Sequence, residues 1–210
     1  MKFDALRFHS RGNHGMVTAA EITAKQIDAK GSHASTTPHF GTAKAGEPIK
    51  VDVRVSRSPI RDVYPIATPD IVVVSDDTLL AIPAVFAGIT AETVFLVNSH
   101  KRPVEIATRF GLAHVVTVDA TVIAQEEVGR SYPNIVLLGA LVRMMRDAMA
   151  QSAQFPVDVA RAVFEYFGGS DGKHALSNLK AFERGHDEIH RYDGVFDENP
   201  ELRPRPTPLP

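Results

Sequence analysis

The 210-residue chain contains no cysteine and no tryptophan. The first absence excludes a disulfide framework, thiolate-bound zinc or iron–sulfur clusters, and a thiol nucleophile within this chain. The second, with aromatic residues at only 7%, argues against a nucleic-acid surface built on base stacking. A dominant charge is missing as well. The formal net charge is −2, so no strong field draws polyanions to the whole chain. Residues 1–60 are mildly cationic, with nine Lys/Arg against five Asp/Glu. Long apolar runs are also absent. The longest, 81–89 and 135–142, fall short of the ~20 residues needed to span a bilayer. The opening Met-Lys-Phe-Asp-Ala-Leu-Arg-Phe lacks a signal-peptide apolar core. A cytoplasmic protein with no membrane span and no nucleic-acid partner is expected.

What is present is ordinary globular composition, 44% hydrophobic and 23% charged. A chain of this length buries roughly 70% of its extended surface, enough for a core without staples. A strand over 3–9 runs into the turn-rich Ser10-Arg11-Gly12-Asn13-His14-Gly15, and a helix is expected over 16–30, where Val17, Ala20, Ala24 and Ile27 recur at helical spacing. Residues 32–37 are expected to be extended. Ile49, Val51, Val53 and Val55 alternate with Lys50, Asp52 and Arg54, which predicts a half-buried strand with one polar or partner-covered face. Ile71-Val72-Val73-Val74 is continuously apolar, as for a strand buried on both faces. Strands over 93–97 and 114–118 follow, with helices over 104–110 and 121–128. Strand–helix alternation of this kind predicts an α/β fold with a mostly parallel sheet between helical layers. From Asn134 the pattern is helical: 134–150, 157–167 and 174–190. The chain is expected to form one domain over 1–192 and an extended Pro-rich tail over 193–210, with five prolines in the last eleven residues.

The strongest chemical signal is the turn Gly12-Asn13-His14-Gly15. A tight turn between strand and helix presents backbone N–H groups at the positive end of a helix dipole, a place suited to phosphate or carboxylate. Arg11 adds charge, and Asn13 and His14 add side-chain donors. The dinucleotide fingerprint is incomplete: no third glycine and no carboxylate near 35–37. Gly168-Gly169-Ser170-Asp171-Gly172 fits the G-x-S-x-G hydrolase pattern, but a helix precedes it, so a helix–helix turn is expected instead. His186 and His190 are spaced for one helix face, without the order of a zinc protease. Among the N-terminal histidines, His14 and His39 stand out because both are placed near strand ends. Residue spacing alone leaves two readings open, an anion-binding module acting alone or one part of a larger enzyme.

In order along residues 3–190, several stretches resemble the gamma subunit of 2-oxoacid:acceptor oxidoreductases, the pyruvate:ferredoxin oxidoreductase family. They are Arg7 to Ala20, His39-Phe40-Gly41, Ser58-Pro59-Ile60, Pro69 to Val73, Asp119-Ala120-Thr121, Asn134 with Leu138-Gly139-Ala140, and Asn178 to Gly185. The family's glycine turn usually reads Arg-Gly-Gly-Gln-Gly, and here Asn13 and His14 replace the inner pair. The resemblance implies a Rossmann-like three-layer domain that performs no catalysis by itself. It implies partners of alpha, beta and delta type, which carry thiamine diphosphate, Mg and 4Fe-4S clusters, and an electron acceptor, ferredoxin or an NAD-reducing partner. The complex would oxidatively decarboxylate a 2-oxoacid to an acyl-CoA. On this reading, Arg11, Gly12, Asn13, His14 and Gly15 meet the phosphates of coenzyme A, and Ser35, Thr36, Phe40 and Gly41 line the same crevice.

Overall fold

β-Branched runs make the centre of the sheet, and their polar sequels make its rim. The computed structural model describes residues 3–39, 48–61, 64–149 and 154–194. Its strands are β1 (Ala5–Arg11), β2 (His33–His39), β3 (Pro48–Ser56), β4 (Ile71–Val74), β5 (Val94–Asn98), β6 (His114–Val118) and β7 (His190–Asp193). Its helices are α1 (Met16–Asp28), α2 (Pro103–Phe110), α3 (Ala120–Val128), α4 (Asn134–Met149), α5 (Gln154–Tyr166) and α6 (Ala175–Asp187). The seven strands form one sheet in the order β2-β3-β1-β4-β5-β6-β7. β1, β4, β5 and β6 run parallel through its centre, as the strand–helix alternation predicts. The antiparallel hairpin β2–β3 extends one edge, and β7 closes the other against β6.

Period-two alternation sends the central residues to two cores. Ile71 and Val73, with Leu96 and Val116, face the layer of α1 and α3–α6. Val72, Val74, Phe95 and Val115 face α2 and two 3₁₀ turns, Asp77–Ala81 and Pro83–Phe86. The result is three layers, with most helical mass on one side and in the C-terminal half, as expected. The apolar run 81–89 is spent largely on the second 3₁₀ turn rather than on a regular helix.

Glycine sets how closely α4 and α6 approach. A Cβ built at Gly139 would stand 2.1 Å from the carbonyl oxygen of Phe182. One built at Gly185 would stand 2.1 Å from that of Val136. Both glycines belong to motifs singled out in the sequence, and close packing at the helix crossing is what they supply.

Three expectations change. The helix expected over 174–190 stops at Asp187, capped by Glu188, and the chain turns into β7. His186 is therefore on a helix and His190 on a strand, so the two do not share a helix face. Asp52 needs no partner chain to cover it: it is only 2% exposed, beneath residues of its own chain. The Gly168–Gly172 segment is a helix–helix turn with a short 3₁₀ element, as expected. Phe40, Gly41 and most of the proline tail lie outside the described residues.

Replacing Gly139 by valine forces α4 away from α6. Overpacking of this kind costs about 1–3 kcal/mol. The variant is expected to show a lower urea midpoint with an unchanged denaturant slope, measured by circular dichroism on the full chain.

Candidate functional site

The parallel centre leaves four strand ends side by side at the carboxyl edge, where open α/β sheets bind ligands. Each central strand there gives way to polar residues: Arg11 after β1's apolar stretch, Ser75-Asp76-Asp77 after β4, Asn98-Ser99 at β5, and Asp119 after β6. Between them lies a cleft of about 480 Å³. His14, Ser75, Asn98 and Thr121 line it, together with Asp76, Asp77 and Asp119.

The turn expected from the sequence forms one wall. The His14 N–H donates to the Arg11 carbonyl at 3.2 Å and closes it. Asn13 takes φ +73°, left-handed backbone that asparagine tolerates better than most residues. Gly15 takes φ +69°, and a Cβ there would lie 2.5 Å from Asn134 Nδ2. The positive φ is what favours glycine here, and a side chain would also displace the Asn134 amide. Asn134 Nδ2 donates to the Gly15 carbonyl at 3.2 Å, which ties the start of α4 to the start of α1. No side chain caps the first amides of α1, and its first turn holds no acidic residue. Helix geometry leaves those N–H groups without intrahelical acceptors, at the positive end of the dipole.

Proton accounting fixes how His14 presents itself. The Ser10 hydroxyl donates to the Arg11 carbonyl at 3.1 Å, and Ser75 donates to Ser10 Oγ at 3.0 Å. With the Ser75 proton committed, His14 Nδ1, 3.0 Å from Ser75 Oγ, must be the donor in that contact. Burial lowers the His14 pKa, Asp76 raises it and Arg11 lowers it again; the net direction is down. The neutral ring with its proton on Nδ1 leaves Nε2 as an acceptor. His14 thus donates to Ser75, as the sequence pattern suggested, and its second ring nitrogen is an acceptor.

The aspartates around the cleft are individually compensated. Burial pushes Asp76 up, but hydrogen bonds from Thr78 and Arg11 outweigh it and hold the carboxyl below its usual range. Arg11 Nε sits 2.7 Å from Asp76 Oδ2. Asp77 accepts from Ser99 Oγ and Lys101 Nζ, each at 2.8 Å. Asp119 caps α3. Asn98 Nδ2 donates to the Ser75 carbonyl and to Thr121 Oγ1, at 2.9 and 2.7 Å, which locks β5 to its neighbours. Among the described residues no group of three His, Asp or Glu is arranged to hold a metal.

The other residues expected in this crevice are placed elsewhere. Ser35 is level with Arg54 and Ala5 across the hairpin, and Thr36 with Val53 and Leu6. From Leu6 to Arg11 is about 17 Å along a strand at ~3.4 Å per residue. Ser35 and Thr36 are thus at the opposite end of β1 from the turn and do not share its crevice. The misplacement has a simple cause: β2 runs in the direction of β1 but continues to His39, so Ser35 and Thr36 lie in its first half rather than at its carboxyl end. His39 ends β2 and lines a different cavity. Ser75, Asp76 and Asn98 were not singled out from the sequence, and Thr121 only within the stretch Asp119-Ala120-Thr121. The available signal was a polar pair directly after each apolar strand run.

The family model for pyruvate ferredoxin/flavodoxin oxidoreductase matches residues 5–188. The chain is 33% identical to the pyruvate synthase subunit PorC of Methanothermobacter thermautotrophicus, over 89% of this chain and 96% of that protein. It is 34% identical to the pyruvate/ketoisovalerate oxidoreductases common subunit gamma of Pyrococcus abyssi, over 85% and 95%. Among solved structures, the pyruvate oxidoreductase subunit PORC of Thermotoga maritima superposes with a TM-score of 0.76 at 28% identity, over 91% of this chain and 99% of that one. A chain of 2-oxoglutarate:ferredoxin oxidoreductase from Magnetococcus marinus shares the fold, with a TM-score of 0.63 at 16% identity. This chain covers 34% of that one and aligns over 95% of its own length.

The hydrogen-bond chain at His14 makes a spectroscopic prediction. Long-range nitrogen-15 correlation spectra are expected to show the Nδ1–H tautomer, with titration shifted down from the ordinary histidine range by burial. Ser75→Ala removes the Nδ1 acceptor and is expected to shift the ring towards the Nε2–H form. Because the folded pKa is lowered, the stability His14 contributes is complete above the unfolded pKa of ~6.5 and declines as pH falls below it.

Proposed function

The chain belongs to the pyruvate ferredoxin/flavodoxin oxidoreductase family as a gamma-type subunit, and from that premise we propose that it holds coenzyme A for a complex that decarboxylates a 2-oxoacid. The observation that carries this reading is the uncapped start of α1 opening beside an acceptor-lined cleft. Coenzyme A has both of the matching chemistries. Its phosphates suit the amides of the Gly12–Gly15 turn other than that of His14, which closes the turn, together with the α1 dipole and the cationic Arg11. Its hydroxyls, amide N–H groups and exocyclic amine are donors. They suit the carboxylates at the cleft and the accepting Nε2 of His14.

The division of labour follows from the residues present. With no cysteine, this chain cannot ligate an iron–sulfur cluster in the usual way. Decarboxylation on thiamine diphosphate and electron passage through clusters to ferredoxin are assigned to the alpha-, beta- and delta-type partners. The gamma chain contributes binding and orientation. Fixing the carrier by its anionic end brings its thiol to a partner's acyl group as an intramolecular encounter, and positioning of this kind lowers a barrier without any bond-making group on the positioning chain.

Gly12→Val tests the placement in the assembled complex. A branched side chain in the turn is expected to raise the KM for coenzyme A about tenfold, equivalent to about 1.4 kcal/mol of binding. The KM for the 2-oxoacid is expected to stay unchanged. An unaltered coenzyme A KM with intact assembly overturns the placement. Copurification of a thiamine- and iron-containing complex with the tagged chain tests the gamma-subunit role independently.

A further inference from the structure

A second cavity, of about 490 Å³, opens over the β1–β3 half of the sheet, on the face that carries the two 3₁₀ turns. Strand register builds its floor. His9 stands opposite Lys50, and Lys50 opposite His39, so three basic side chains form one row across β1, β3 and β2. Arg7 stands opposite Asp52 in the next row on the same face. One strand further on, the same two rows continue as Val72 and Val74. The walls are aliphatic: Ile66, Leu79, Ile82 and Val85.

Three buried polar atoms of the floor have no hydrogen-bond partner: Arg7 Nε and Asp52 Oδ1, which face each other as an ion pair at 3.6 Å, and His9 Nε2, which has no such counterpart. Arg7 donates to the carbonyls of Ile66 and Ala87 and lies 3.6 Å from Asp52. Asp52 Oδ2 accepts from the Ile66 N–H at 3.1 Å, with His39 Nε2 at 3.1 Å and Lys50 Nζ at 3.4 Å. His9, only 8% exposed, lines the cavity with its Nε2 buried and without a partner. Buried ring nitrogens are normally satisfied, so this one marks a place for a ligand atom. Burial, reinforced by Arg7 and Lys50 and opposed by Asp52, pushes the His9 pKa down to about 4. The ring is therefore neutral at physiological pH. Two fixed cations, Arg7 and Lys50, then face one carboxylate, Asp52.

A surplus of one positive charge, one unpartnered ring nitrogen and aliphatic walls specify a ligand with one negative charge, hydrogen-bond acceptors and a short hydrocarbon body. We propose that this cavity binds a small aliphatic carboxylate, its oxygens received by Lys50 and His9 and its alkyl group packed on Leu79, Ile82 and Val85. The site is separate from the cleft beside His14 and does not depend on the reading of that cleft.

Isobutyrate serves as the probe, titrated into the full chain while the ring carbon and nitrogen resonances of its histidines are followed. Saturable binding is expected to move the His9 resonances and to raise the pKa of His9. Isobutyramide, of the same shape without the charge, is expected to bind at least tenfold more weakly. Acetate, with the charge and little hydrocarbon, is expected to bind severalfold more weakly. Lys50→Gln, at a partly exposed position, is expected to weaken isobutyrate binding about tenfold. Equal affinity for isobutyrate and isobutyramide overturns the proposal, as does a saturating titration that leaves His9 unmoved, or no saturation at all. These comparisons on the unaltered chain decide the matter even where a substitution fails to fold.

Discussion

The carboxylate of Asp52 joins the antiparallel hairpin to the parallel sheet. Antiparallel register sets it opposite Arg7 on β1, and both side chains are almost fully buried, 3% and 4% exposed. Neither charge could lie there alone, because the cost of removing an ion from water greatly exceeds what apolar packing returns. Each is therefore held by several groups. Arg7 reaches the carbonyls of Ile66 and Ala87, so the segment after β3 and the end of the second 3₁₀ turn are fastened to the same point. The Ile66 N–H returns to Asp52. A pair of this kind adds little to net stability, and a well-packed hydrophobic replacement could match it. What it does is dictate arrangement. With β3 slipped by one residue, Asp52 would face α1 and the apolar core of Leu6 and Phe8.

The same reasoning separates what the sequence disclosed from what it concealed. β4 and β5 were legible because Ile71–Val74 and Val94–Val97 are apolar at every position, and only a doubly covered strand permits that. The turn at Gly12–Gly15 was legible because glycine and asparagine crowd between an alternating run and a helical one. β7 was hidden. His190-Arg191-Tyr192-Asp193 has no apolar face, and its membership in the sheet comes from pairing with β6, a tertiary fact. The hairpin's direction was hidden too. The alternation in β3 gives the same pattern whether its neighbours run up or down. Ser35 and Thr36 fell at the other end of the sheet because β2 continues to His39, two residues beyond the extended stretch expected over 32–37.

The cleft was half legible for a related reason. Sequence motifs concentrate in one segment. A site at the carboxyl edge of a parallel sheet instead collects one or two residues from each strand end. Ser75, Asn98 and Thr121 are far apart in the chain and meet only because β4, β5 and β6 are neighbours. Their hydrogen bonds to one another leave little freedom, which suits a surface that must present fixed acceptors to a ligand.

The two inner residues of the glycine turn show how such a site tolerates change. Where the family usually has Gly-Gln, this chain has Asn13-His14. The first of these positions requires φ +73°, a backbone that glycine adopts freely and asparagine with little strain. The substitution therefore preserves the path of the chain and the direction of its amides. The second position needs a donor towards Ser75, which His14 supplies through Nδ1. A glutamine amide has a donor of the same kind and carries its acceptor, the carbonyl oxygen, on the same carbon. Histidine instead places its acceptor, Nε2, across a rigid ring from the donor, on a side chain that lines the cleft. The exchange keeps the path of the turn and the direction of its amides and changes the side chain at the cleft wall; on the coenzyme A reading proposed above, any change in ligand preference across such a substitution falls on the uncharged part of the ligand.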